Sequence, residues 1–324
     1  MTEPLLNLAT GINPWPWPVP PLPDDCFSHL PYDCSSLQRA AAEYYHVDEG
    51  QLLLTAGSQP VIQLLPRLCE RGAVLLPAVA YEEHAYRWQL AGHHCHYFAD
   101  YGREALAADI RRWQIRYLVL VSPNNPDGRQ IPLADLEYCL SLLPRDGLLV
   151  VDQAYVDCCP EYQANRLLQD ARVLLLRSVG KFFGLPGLRL GAVLAGSDWL
   201  AELQRDIGPW SLSRAAQCLG PELFADRAWQ AATRERLRRN AADQSRLLVT
   251  HLGADADAVF YQPLFTTFKM PLARAQTLAE QALQQGLLCR VYCCGDSGYM
   301  RWGLAADAAE LQVRLAAFTA ARDG

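Results

Sequence analysis

Short apolar runs recur along the chain up to Leu194: Leu52–Leu54, Val74–Leu76, Tyr117–Val121, Leu148–Val151, Val173–Leu176 and Leu190–Leu194. They are continuous rather than alternating, which predicts strands buried on both faces. Amphipathic stretches lie between them and predict helices over Gln59–Cys69, Glu82–Leu90, Glu104–Trp113 and Leu133–Leu142. A further helix is predicted over Ser35–Tyr45, with Ser35 and Gln38 spaced as a capping box. Apolar strands separated by helices imply an α/β fold, with a parallel sheet covered on both faces. After Trp199 the alternation lapses into a charged helical stretch from Ala225 to Leu252. Phe265–Lys269, a helix from Ala273 to Gln285, Leu287–Val291, Tyr299–Gly303 and a last helix from Ala306 then read as a small α+β domain.

The stretch from Gly11 to Pro23 holds too many prolines for a helix and predicts an extended arm, whose tryptophans need something to pack on. The expected organisation is an arm (1–34), a large domain (35–224) and a small C-terminal domain (225–324). The net charge of -6 offers no basic footprint for nucleic acid. No apolar run approaches a membrane span. The N-terminus, Met1-Thr2-Glu3-Pro4-Leu5, lacks a basic segment followed by a long apolar one, so no signal peptide is read. Eleven cysteines show neither metal-ligand spacing nor a disulfide framework, so reduced thiols, a cytoplasmic protein and no metal are expected.

Composition adds one pointer to chemistry. Of 29 lysines and arginines only Lys181 and Lys269 are lysine. Guanidinium replaces ammonium as a surface charge but cannot serve as an amine nucleophile, so the remaining lysines become candidates for that task. Lys181 lies in Arg177-Ser178-Val179-Gly180-Lys181-Phe182-Phe183-Gly184, with Arg189 eight residues on. Three other stretches follow predicted strands, where open α/β sheets bind ligands. Thr55-Ala56-Gly57-Ser58-Gln59 is a glycine turn opening a helix, whose first amides suit a phosphate or merely cap. Ser122-Pro123-Asn124-Asn125-Pro126-Asp127-Gly128 reads by itself as a turn. Asp152, in Val151-Asp152-Gln153-Ala154-Tyr155, closes an apolar strand and needs a partner, either an arginine or a protonated ring nitrogen.

In this order and spacing, the Asn-Pro, Asp-x-x-Tyr and Ser-x-x-Lys elements resemble the class I/II aminotransferase family, the fold-type-I enzymes of pyridoxal 5′-phosphate. The resemblance runs over essentially the whole chain. It implies a large domain with a mostly parallel sheet, a smaller α+β domain and a homodimer. It makes Lys181 the Schiff-base lysine, sets Asp152 on the pyridine nitrogen, and puts Asn125 and Tyr155 on the ring hydroxyl. Ser178, Arg189 and the amides of Ser58 and Gln59 would hold the cofactor phosphate. An aromatic residue that stacks on the ring is expected in Tyr81-Glu82-Glu83-His84, where spacing favours His84 over Tyr81. Arg301 matches the family's carboxylate-clamping arginine, and Arg290 is a second cation nearby in sequence.

Within the family, Gly11-Ile12-Asn13-Pro14 followed by Trp-Pro repeats, Ser35 to Tyr45, and the pair Arg290 and Arg301 resemble the threonine-phosphate decarboxylase branch of cobalamin biosynthesis. That implies a small phosphorylated amino acid as substrate, with Asn13, Arg290 and Arg301 at it. Two features depart from the branch. Its members carry a His-Gly-Gly segment ahead of the arm, whereas here the first histidine is His29. The usual Tyr-Pro-Asp is replaced by Leu30-Pro31-Tyr32-Asp33, leaving Tyr32 as the candidate that reaches a partner subunit's cofactor. The alternatives are a histidinol-phosphate aminotransferase and a non-catalytic binding protein that keeps the fold. An intact set of Lys181, Asp152, Asn125 and Tyr155 argues against the latter.

Overall fold

The computed structural model describes residues 5–323; the first four residues, on which the N-terminal reading rests, lie outside it. The chain opens on a two-residue strand, β1 (Leu6–Asn7), and runs without helix or strand through the Pro- and Trp-rich arm to α1 (Ser35–Tyr45). Then follow β2 (Leu52–Thr55), α2 (Gln59–Leu68), β3 (Ala73–Pro77), α3 (Glu82–Leu90), β4 (His94–Phe98) and α4 (Arg103–Arg112). The series continues through β5 (Tyr117–Val121), α5 (Leu133–Leu142), β6 (Leu148–Asp152), β7 (Val173–Ser178), the one-turn α6 (Val179–Phe182) and β8 (Gly191–Ala195). Helices α7 (Ser197–Ile207), α8 (Arg214–Ala225) and α9 (Arg227–Leu252) come next. The last part holds β9 (Ala258–Gln262), β10 (Phe265–Pro271), α10 (Leu272–Gln284), β11 (Leu287–Leu288), β12 (Arg290–Cys294), β13 (Ser297–Gly303) and α11 (Ala308–Asp323).

Internal contacts divide the chain into two compact units. The larger comprises Trp17–Asn124 and Arg129–Trp229. The smaller takes the described residues through Pro16, Asn125–Gly128 and those from Gln230 on.

The larger unit is built on a seven-stranded sheet ordered β2-β8-β7-β6-β5-β3-β4. The β4-β3-β5-β6-β7 pairs are parallel, and β8 runs antiparallel to both β7 and β2. Val74, Leu76, Val119, Val150, Leu174 and Val193 face one core with Val61, Ile62 and Leu65 of α2, Trp88 of α3 and Leu200 and Leu203 of α7. The alternate residues Leu75, Leu118, Leu149, Leu175 and Leu194 point to the opposite face and are equally buried. Burial on both sides is why these strands read as continuous apolar runs. Because β2 and β7 share one direction and β8 opposes them, Thr55, Pro77, Val121, Asp152, Ser178 and Gly191 all end or begin strands at one sheet edge.

Several local expectations are corrected. Ser35 and Gln38 form no capping box. Cys34 precedes the helix without a side-chain cap bond, the Ser35 amide donates to Asp33, and Gln38 Nε2 donates to the carbonyls of Glu49 and Leu52. Asp226 separates α8 from α9, its Oδ1 accepting from the Trp229 amide at 2.9 Å as an N-cap does. The run Leu287–Val291 breaks after Leu288 into β11 and β12. In the arm, Trp17 is buried, with its amide bonded to the Phe183 carbonyl and its indole N–H to Asp226.

The smaller unit holds an antiparallel sheet ordered β12-β13-β10-β9 and a short parallel pair of β1 with β11. Leu8, Phe268, Met270, Leu278, Met300, Trp302, Leu311 and Leu315 form its core. Gln244 of α9 ties helix to sheet, donating to the Gly303 carbonyl and accepting from the Ala305 amide at 2.8 Å each. Among the described residues no helix is long and apolar enough to cross a membrane.

Candidate active site

In the larger unit the sheet edge assembles most of the predicted residues. Asp152 ends β6 and is 3% exposed. Its Oδ1 accepts from the Ala154 amide at 3.0 Å, and its Oδ2 lies 2.9 Å from His84 Nε2, whose residue is also 3% exposed. Three residues beyond Asp152, Tyr155 is buried, and its ring centroid lies 5.7 Å from Lys181 Nζ. Lys181 sits in the single turn α6 directly after β7, half-buried. Its short helix packs on Pro186, which an added Cβ at Gly180 would meet at 3.0 Å.

A second group surrounds the turn after β2. Gly57 has φ +78°, a conformation that favours glycine, and leads into α2 with Ser58 as N-cap and Gln59 as the first helical residue. Amides at this position have no intrahelical acceptor and point outward with the positive end of the helix dipole. Arg189 lies over the turn, with Nη2 donating to the Ala56 carbonyl and Nη1 to the Pro186 carbonyl, both at 3.2 Å. It adopts a left-handed conformation at φ 52°. A Cβ at Gly57 would meet Arg189 Nη2 at 2.9 Å, so the absent side chain is what admits the guanidinium. Ser178 closes β7 opposite Gly191, and a Cβ at Gly191 would come within 2.8 Å of Gly57 Cα. Ser58, Gln59, Ser178 and Arg189 thus belong to adjoining segments rich in donors.

The two stacking candidates differ in what they touch. His84 is turned to Asp152, whereas Tyr81 is 43% exposed and donates its hydroxyl to Gln59 Oε1 at 3.1 Å. Their rings stand at 86° with centroids 6.3 Å apart. The His84–Asp152 bond spans 68 residues and has no local signal; only the placement of α3 after β3 reveals it.

The remaining residues, Asn13, Asn125, Arg290 and Arg301, belong to the smaller unit. Arg301 of β13 is 4% exposed, with Nη1 donating to Asn125 Oδ1 and Nη2 to the Ala9 carbonyl. Its Nε is buried with no hydrogen-bond partner among the described residues. The guanidinium lies 5.4 Å from the Phe265 ring and 5.2 Å from the Tyr292 ring. Asn13 is 2% exposed, and its Oδ1 accepts from the Trp15 amide at 2.9 Å. Arg290 pairs in register with Arg301 on β12 but is exposed, lying over Tyr292.

The aminotransferase class I and II family profile matches residues 24–318, and the chain belongs to that family. Its architecture is that of fold type I. A threonine-phosphate decarboxylase of Pseudomonas aeruginosa is 34% identical over 307 residues, spanning 94% of this chain and 88% of the relative. A histidinol-phosphate aminotransferase of Yersinia pestis is 32% identical over 216 residues, 60% of this chain and 56% of that protein. The crystal structure of L-threonine-O-3-phosphate decarboxylase from Porphyromonas gingivalis superimposes with a TM-score of 0.79, over 99% of this chain and all of that one. At 20% identity, that likeness bears on the fold alone.

Proposed function

We propose that the chain is a pyridoxal-phosphate enzyme that decarboxylates L-threonine O-3-phosphate, giving (R)-1-amino-2-propanol O-2-phosphate and CO2 for cobalamin biosynthesis. What carries the choice of reaction is the reach of the likeness. Identity to the decarboxylase runs over 94% of the chain, whereas that to the aminotransferase stops at 60%.

The residues present fit the cofactor. A phosphate dianion suits the amides of Ser58 and Gln59, the Ser178 hydroxyl and the Arg189 guanidinium over Gly57. Asp152 offers a buried carboxylate to a protonated ring nitrogen, and its oxygens can accept that bond beside those from His84 and Ala154. We therefore assign His84 to orienting Asp152 and Tyr81 to the face of the ring. Tyr155 and Asn125 would serve the ring hydroxyl. When bound, the cofactor supplies the pyridinium electron sink that stabilises negative charge at the substrate Cα.

The chain's own residues do the rest. An ionised Asp152 keeps the ring nitrogen protonated. Lys181 would hold the cofactor through its amine, and as a free amine it can return a proton to the substrate Cα. Arg301, whose Nε is buried and has no hydrogen-bond partner among the described residues, suits a substrate carboxylate; Arg290 is a second cation for an anionic substrate. We place the enzyme in the cytoplasm as a homodimer. Tyr32 and Trp210, 75% and 54% exposed with ring centroids 6.0 Å apart, form an aromatic pair that a second copy could cover.

Spectroscopy tests the assignment. The protein loaded with pyridoxal phosphate should show a visible band that Lys181→Ala lacks; an unchanged spectrum would refute the cofactor role of Lys181. Added threonine phosphate should leave the cofactor in its lysine-bound form. Lasting conversion to pyridoxamine phosphate with an amino donor would instead support an aminotransferase.

A further inference from the structure

Beyond the residues that would touch cofactor or substrate, the larger unit buries an ion pair that this function leaves without a task. Arg177 is fully buried in β7, one residue before Ser178 and four before Lys181. Asp157 is 1% exposed, two residues after Tyr155 in a turn of 3-10 helix, Val156–Cys158. Arg177 Nη2 donates to Asp157 Oδ1, and the guanidinium lies 4.6 Å from the ring centroid of Tyr45, the fully buried last residue of α1. Tyr44 is the other ionisable group whose charge bears on it.

As a source of stability this arrangement is poor. Arg177 Nε and Nη1 have no hydrogen-bond partner among the described residues. A buried ion pair whose guanidinium is incompletely hydrogen-bonded recovers little of its desolvation cost, and an apolar pair of like volume often does as well. Its location offers a better account. The parallel ladder between β6 and β7 ends with Asp152 opposite Leu176, followed by one bond from the Gln153 amide to the Leu176 carbonyl. Beyond that point β7 pairs only with β8, Arg177 opposite Ala192 and Ser178 opposite Gly191. The Arg177–Asp157 pair is a further tie across this gap. It joins the segment carrying Asp152 and Tyr155 to the segment carrying Ser178 and Lys181.

We propose that Arg177 and Asp157 are positioning residues that fix the Tyr155 ring against Lys181. This rests on the cofactor reading above, in which the Tyr155 hydroxyl donates to the ring oxygen and so favours its anion. If the turn drifts, that donor is misaligned and the oxygen anion is less favoured. The lysine-bound nitrogen then keeps its proton to higher pH. Partial loss of a hydrogen bond to a charged group is expected to raise that midpoint by about half to one pH unit, roughly 3- to 10-fold in proton affinity.

The test compares the visible-band pH titration and the melting temperature of the loaded wild-type protein with Asp157→Asn and with the double variant Arg177→Met/Asp157→Val. Asp157→Asn leaves Arg177 buried without its counter-charge, so the double variant, which leaves no unpaired charge, decides the matter if the single one fails to fold. The expected result is a folded double variant with melting close to wild type and a raised midpoint. An unchanged midpoint overturns the proposal. A double variant that cannot fold also overturns it, because the pair then serves stability. A wild-type protein without a titrating band overturns the cofactor reading and this inference with it, which separates the two failures.

Discussion

Replacing Gly57 by alanine probes the proposed phosphate cradle. The residue sits at φ +78°, and the added Cβ would lie 2.9 Å from Arg189 Nη2. Forcing a non-glycine residue into this region costs about 1–2 kcal/mol of stability. The clash itself is with the end of a flexible side chain, so it is relieved by moving the guanidinium rather than the backbone. That movement would give up the charged hydrogen bond proposed from Arg189 to the cofactor phosphate, worth about 1.5–3 kcal/mol. The dissociation constant for pyridoxal phosphate should therefore rise roughly 10- to 150-fold. Gly187→Ala is the control, since a Cβ there meets nothing within 4 Å. The assay is titration of the apoprotein with pyridoxal phosphate, followed by visible absorbance, with melting curves run in parallel. A folded Gly57→Ala protein with wild-type affinity, or a Gly187→Ala protein equally impaired, would show that the space at Gly57 does not seat Arg189 for the phosphate.

Two further outcomes follow from the smaller unit. Burial pushes the Asp255 carboxyl up, but hydrogen bonds from Arg274 and Arg322 outweigh it and hold the group below its ordinary value of 3.8. A depressed carboxylate contributes stability above its unfolded pKa and loses it as pH falls through the folded one. Asp255→Asn should thus lower the melting temperature at neutral pH, with the deficit closing as pH drops below about 4; a deficit constant down to the acid limit would contradict this. Arg301→Lys keeps the charge but loses the planar fork, so KM for threonine phosphate should rise about 10-fold or more while affinity for pyridoxal phosphate stays near wild type. An unchanged KM would remove Arg301 from the substrate.

Legibility in the sequence followed burial. Tyr117–Val121 reads as a strand because both its faces are covered, and α3 and α5 have the bounds their pattern predicts. β4 escaped notice because His94, Cys95, His96 and Tyr97 form a half-exposed edge with no apolar run. An apolar run also carries no direction, so the antiparallel course of β8 had to come from the fold. At the site, Asp152, Tyr155, Ser178 and Lys181 stood out because each lies within a few residues of a strand end, a local relation. His84 with Asp152, and Arg177 with Asp157, are contacts across separate segments. An arginine within Leu174-Leu175-Leu176-Arg177 looks like the end of an apolar strand until its burial is seen.

In the proposed reaction the carboxylate of threonine phosphate leaves as CO2, and the cofactor ends each turnover back on Lys181 rather than as pyridoxamine phosphate. This is tested most directly by incubating the loaded enzyme with carboxyl-labelled L-threonine O-3-phosphate and measuring released label against the aminopropanol phosphate formed. Equal amounts of the two are expected over many turnovers. Label retained in a 2-oxo acid, or no release from protein whose visible band is intact, would contradict this reaction.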